Sequence, residues 1–152
     1  FIRTSFIVGH PGESDAMFEE MAEFAGSFGF DRINVFSYSD EEGTSAHAMQ
    51  EKIASKTIDA RAKKLGKIAS AVEDSSLKQL IGTEIPLVID GESDEHEFLL
   101  SARALIWAPD VDGEIYINDR EIDGDLAFGK IYRARISELA GKRPLATVTG
   151  DA

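Results

Sequence analysis

The spacing of hydrophobic positions changes along the chain, and each change predicts a different element. Residues 1–9, Phe-Ile-Arg-Thr-Ser-Phe-Ile-Val-Gly, are rich in β-branched and aromatic types and end at glycine, which predicts a buried strand. His10-Pro11-Gly12-Glu13 makes a turn, and Ser14 or Asp15 is placed to cap the helix that follows. Glu13, Asp15, Glu19 and Glu20 complement the positive end of that helix. Met17, Phe18, Met21, Phe24 and Ala25 recur at helical spacing and give it one apolar face, with Gly26 or Gly29 as its end. From Phe30 to Tyr38, Ile33 and Val35 alternate with polar neighbours and predict a second strand. Strand, helix and strand in that order form a βαβ unit, whose strands run parallel and adjacent. Two strands cannot make a sheet with both faces covered, so residues 1–56 are expected to be part of a larger sheet. Without its partner strands, the open edges are expected to mispair or to lose order.

Residues 39–56 begin as a turn-rich loop, and a long helix is expected after Thr57. Ile58, Ala62, Leu65, Ala69 and Val72 step by four and three, and Ile68, Leu77, Leu80 and Ile81 widen the stripe. Arg61, Lys63, Lys64 and Lys67 fall on the opposite face, read as a solvated basic face of a packed helix. Gly82 closes it, and from Thr83 the period drops to two. Strands are expected at 85–89, 98–105, 115–117, 130–136 and 145–149, with an acidic hairpin tip at 90–95. Arg133 and Arg135 alternate there with Tyr132, Ala134 and Ile136, which predicts one wet and one dry face. Five short strands with glycine at the turns imply a small closed or half-open barrel of the OB-like kind. The expected division is an α/β piece at 1–56, a linker helix at 57–81 and a small all-β barrel at 82–152.

Composition narrows the function classes. The 152 residues are 43% hydrophobic and 29% charged, the balance of a folded soluble protein, and no apolar run has the length of a membrane span. The chain starts with Phe1, not Met, in mid-strand, which reads as part of a longer protein. A net charge of −12 repels a phosphate backbone and suits either a basic partner or solubility alone. No cysteine is present, so these residues offer no thiolate to a metal, a cluster or a nucleophilic reaction. Asp110-Val111-Asp112-Gly113-Glu114 lacks the spacing of an EF-hand loop, and His10, His47 and His96 are not placed as a metal set, so no metal site is expected. No Gly-x-Ser-x-Gly elbow occurs, and no catalytic constellation stands complete within the chain.

The segment Phe6-Ile-Val-Gly-His-Pro-Gly-Glu13 is a strand ending in a glycine turn that opens a helix. Ligands of α/β folds bind outside the carboxyl ends of such strands, and Gly9 and Gly12 would let one approach the backbone. The same residues also fit an ordinary tight βα turn. The order of motifs adds to this. Ser5-Phe-Ile-Val-Gly-His-Pro-Gly-Glu-Ser14, then Phe30-Asp-Arg-Ile-Asn-Val-Phe-Ser-Tyr-Ser39, then Glu41-Glu-Gly-Thr-Ser-Ala46 resembles the end of the barrel in radical S-adenosylmethionine methylthiotransferases. Those enzymes carry a Gly-Phe-Pro-Gly-Glu-Thr turn and a Tyr-Ser-x-x-x-Gly-Thr-x-Ala segment before a helix. A TRAM barrel follows that helix, where this chain has its five predicted strands. His10 departs from the family's Phe, which puts the local packing of the turn in question.

Val35-Phe-Ser-Tyr-Ser39 with Glu41-Glu-Gly-Thr44, and Ser101-Ala-Arg103 followed by Ala108-Pro-Asp-Val-Asp-Gly113, look closer to the RimO-type branch. That branch acts on an aspartate of the small-subunit ribosomal protein twelve, and the other branch on an adenosine of transfer RNA. The barrel half, 82–152, holds 15 acidic and 7 basic residues, a net of −8, which favours a basic protein over RNA. The resemblance implies a cytoplasmic parent enzyme with S-adenosylmethionine and two [4Fe-4S] clusters, whose cysteines lie outside these residues. It would place a methylthio group on the aspartate β-carbon. By position, Ile7, Gly9, Phe36 and Tyr38 are the candidates for contact with the adenosyl group or substrate, although core packing fits Ile7 and Phe36 equally well. Arg103, Trp107, Asp110 and Asp112 are the candidates for substrate contact on the barrel, with a core role for Trp107 as the alternative. A transfer-RNA methylthiotransferase and a non-enzymatic OB-like binding module remain the competing readings.

Overall fold

The computed structural model describes residues 1–152 apart from Glu95 and Asp110. The chain divides into two units, Phe1–Ser76 and Leu77–Ala152. In the first, β1 (Arg3–Val8), α1 (Asp15–Ser27) and β2 (Arg32–Ser37) form the expected βαβ unit. The strands pair in parallel, with Phe6 opposite Val35 and Ile7 opposite Phe36. Ser14 is the N-cap, its hydroxyl accepting the Met17 N–H at 3.2 Å, and satisfies one of the helix's orphan donors. Helix α1 ends at Ser27, before Gly29, and buries Phe18, Ala22 and Ala25, while Met17 and Phe24 stay exposed.

Helix α2 runs from Ser55 to Leu80 and crosses the boundary between the units. Leu65 and Ala69, with Ile58, Ala62, Ile68 and Val72, pack with Val8, Phe18, Ala22 and Ile33 in one cluster. Most of α2 is therefore a core element of the first unit rather than a free connector. Its basic side is not uniformly solvated either, since Arg61 is buried. Asp31 fastens three segments by accepting from the Ile2 N–H at 2.6 Å and the Ser76 hydroxyl at 2.7 Å. The helices cover one face of the two-stranded sheet through Phe6, Val8, Ile33 and Val35. Alternation along each strand leaves Ser5, Ile7, Asn34 and Phe36 on the other face.

The second unit is a closed five-stranded barrel of OB-like kind, formed by β3 (Glu84–Glu92), β4 (Leu100–Ala104), β5 (Ile115–Arg120), β6 (Ile131–Ala140) and β7 (Arg143–Asp151). The order around it is β3-β4-β5-β7-β6, antiparallel except for β5 with β7. Leu87, Ile89, Ala102, Ile115, Ile117, Ala134, Ile136, Ala146 and Val148 fill the interior, joined by Leu77 from the end of α2. Each large aliphatic side chain so buried contributes roughly 1.5–3 kcal/mol. Along β6, Tyr132, Ala134 and Ile136 point inward while Arg133 and Arg135 stay in water, as the alternation predicts. The buried Tyr132 hydroxyl accepts the Ala127 N–H at 2.9 Å, which anchors the loop before β6. Strand β4 is shorter than expected and starts at Leu100, so Phe98 precedes it.

Candidate functional site

The first candidate site lies at the carboxyl ends of β1 and β2. Ile7 and Phe36 are register partners on the uncovered sheet face and are 57% and 55% exposed, so neither is a core residue of this unit. Gly9 follows β1 with φ +86°, and a Cβ built there would lie 2.5 Å from Cγ1 of Ile58. Only glycine allows both that backbone conformation and the close approach of α2. Gly9 is thus held against the helix, and its N–H donates to Glu13 Oε2 at 3.1 Å. Glu13 also accepts from Arg61 Nη1 at 2.6 Å through Oε1 and again through its carbonyl at 3.0 Å. Arg61 Nη2 reaches Asp15 at 2.6 Å. The bond to Asp15, with Glu13 in support, raises the affinity of the guanidinium for its proton against the effect of burial. Glu13 and Arg61 therefore form a charged clasp, 48 residues apart in sequence, that fixes the turn beneath the site.

Tyr38 donates its backbone N–H to the Val8 carbonyl at 2.8 Å, which carries the parallel pairing one step past the strand ends. His10 stacks edge-on against the Tyr38 ring with centroids 5.6 Å apart. His10 Nδ1 lies 2.9 Å from the Pro11 carbonyl. The Tyr38 hydroxyl donates to Asp40 Oδ1 at 2.9 Å. Lys52 Nζ donates to the same oxygen at 2.5 Å and to the Ala46 carbonyl at 3.0 Å, and His47 Nδ1 lies 3.3 Å from it. The bonds from Lys52 and then Tyr38 hold the Asp40 carboxyl below its ordinary value. Partial desolvation, then the bond to Asp40 and its charge, push the Tyr38 phenol upward. Asp40 is the hub that organises the loop between β2 and α2. Nothing in the sequence singles it out, because its partners become neighbours only when the loop folds back.

The candidates on the barrel fare differently. Trp107 is 6% exposed and belongs to the barrel core, so its indole has no free face for a partner, and the core alternative is the one realised. Asp112 is buried too, its Oδ2 accepting the Ala108 N–H at 2.7 Å in the turn after Trp107. Both fix that turn instead of presenting it. Arg103 is paired with Asp90 across the β3–β4 ladder and remains partly accessible. Asp110 lies outside the described residues. No helix among the described residues is long and apolar enough to cross a membrane.

The small five-stranded barrel follows a long helix, and residues 81–142 match the family described as TRAM domain. Nearly the whole chain, moreover, is similar to bacterial proteins named ribosomal protein uS12 methylthiotransferase RimO. It is 64% identical over 147 residues to the one from Sulfurimonas denitrificans, covering 97% of this chain and 34% of that protein. The corresponding values are 53% over 150 residues for Aliarcobacter butzleri and 47% over 146 residues for Campylobacter jejuni, with 97% and 96% of this chain and 34% and 33% of theirs. The chain spans about a third of the length of these relatives.

Proposed function

We propose that this chain is the part of a RimO-type radical S-adenosylmethionine methylthiotransferase that closes the catalytic barrel and docks the substrate. The enzyme would modify an aspartate of ribosomal protein uS12 in the cytoplasm. The observation that carries this reading is identity of 47–64% over essentially the full chain to proteins bearing that name. Physical features support it. A two-stranded parallel sheet with helices on one face and Ser5, Ile7, Asn34 and Phe36 on the other is what two staves of a larger βα barrel look like. The exposed Ile7–Phe36 pair near the strand ends offers an apolar surface for an adenosyl group, while the space beside Gly9 is taken by Ile58 rather than left open to a ligand. The chain has no thiolate, so the clusters would be held by residues outside these 152. Bound S-adenosylmethionine and the clusters would supply the radical and the methylthio group. The residues described here would shape the adenosyl contact through Ile7 and Phe36, and hold Tyr38 and its loop through Asp40.

The barrel's role in this proposal is recognition. Its net charge of −8 repels RNA and attracts a basic ribosomal protein, which disfavours the transfer-RNA branch. The test is to incubate the full-length protein, with its clusters reconstituted, with uS12 or with transfer RNA. Mass spectrometry should find a methylthio group on an aspartate of uS12 and none on RNA. Modified adenosine with unmodified uS12 would refute the assignment.

A further inference from the structure

The barrel carries a second feature, separate from its core and from the Arg103–Asp90 pair. A cleft of about 260 Å³ opens on its surface, lined by Phe98, Leu100, Ile117, Asp119, Arg120 and Leu126, among others. Leu100 and Ile117 are paired across β4 and β5 and form its apolar lining with the buried Leu126. Phe98 stands beside them 94% exposed, an apolar ring in water next to an apolar cleft. The volume lies below the roughly 300–1,000 Å³ of small-molecule pockets, which suits a single side chain. The lining itself holds one charged residue of each sign, Asp119 and Arg120, and the chain on either side of it is mostly acidic. The segment from Asp119 to Asp125 holds Asp119, Glu121, Asp123 and Asp125 against Arg120 alone, and Glu97 precedes Phe98. Arg120 is itself tied to Asp125 at 3.4 Å.

We infer that this cleft is a docking subsite for a positively charged polypeptide segment, with one apolar side chain seated against Phe98 and Leu126 and flanking lysines or arginines facing the 119–125 carboxylates. The inference deepens the substrate-docking half of the proposed function and rests on it. Apolar contact supplies the anchor and the carboxylates steer the encounter and set the register. A nucleic acid fits poorly, because residues 119–125 carry four carboxylates against one guanidinium and repel its phosphates.

The 152-residue chain would be titrated with uS12 and with bulk transfer RNA at low and moderate salt, and compared with Phe98→Ala and with Asp119→Asn/Asp125→Asn. Phe98 is almost wholly exposed and does not belong to the barrel core, so its truncation should leave the melting temperature unchanged. Phe98→Ala should weaken uS12 binding about tenfold, as truncation of an anchor does. The double carboxamide variant should weaken it about threefold and flatten its salt dependence. Unchanged uS12 affinity in Phe98→Ala would overturn the subsite, and so would absence of uS12 binding by the parent chain or transfer-RNA binding that depends on Phe98. The two readings separate in the full-length enzyme. Methylthiolation of uS12 with Phe98-independent binding removes the subsite and keeps the function. Phe98-dependent binding of uS12 without its modification does the reverse.

Discussion

The two units solve the same problem, burying apolar surface, in opposite ways. The barrel closes its ladder on itself, so its strands have partners on both sides and its interior is aliphatic. The βαβ unit has two strands, one covered face and one open face, and relies on a buried ionic clasp and a glycine contact to hold its turn. A closed sheet abolishes its edges and needs no further chain, whereas an open parallel sheet carries surface that more strands or a ligand would cover. The proposed function follows the same division, with recognition assigned to the barrel's exterior and the adenosyl contact to the open face of the βαβ unit.

Substitutions can break this contrast. The largest loss is expected from Arg61→Ala, which leaves the nearly buried Glu13 carboxylate uncompensated and should cost about 3–5 kcal/mol in urea unfolding. A loss below about 1 kcal/mol would mean that the clasp is a surface pair. In the barrel, Leu87→Ala should cost about 3 kcal/mol by opening a cavity, since its site is fully buried between paired strands. Gly9→Ala should cost about 2 kcal/mol from positive φ and the clash with Ile58, and pairing it with Ile58→Ala should recover part of that loss. Phe36→Ser on the open face should change stability by less than about 0.5 kcal/mol while weakening S-adenosylmethionine binding in the full-length enzyme.

The smallest effect is a titration. The folded Asp40 carboxyl lies below its unfolded value, so its ties to Lys52 and Tyr38 are complete above the ordinary value of 3.8 and are lost as pH falls through the lowered one. Carboxyl carbon shifts of Asp40, followed by NMR against pH, should show that lowered midpoint and move the Tyr38 ring signals with it. An Asp40→Asn variant should abolish the coupled movement.

Much of the fold was legible because faces are encoded locally. The alternation in β6, the βαβ order and the long apolar stripe of α2 are periodicities that a strand or helix cannot hide. The boundary of β4 was less legible, because Phe98 is apolar enough to read as strand yet stands in water. At the sites, Ile7 and Phe36 could be identified as a strand-end pair, but not as exposed, since exposure depends on what covers the other face of the sheet.

By itself the sequence determined which residues share a face, where the chain turns and the sign of each unit's charge, because spacing and composition act over a few residues or by simple summation. Only the tertiary structure decided that Trp107 and Asp112 are buried, that Glu13 meets Arg61, that Gly9 must admit Ile58 and that β5 lies parallel to β7. Those outcomes join residues tens of positions apart, and local periodicity carries no information about which distant surface will cover a given face.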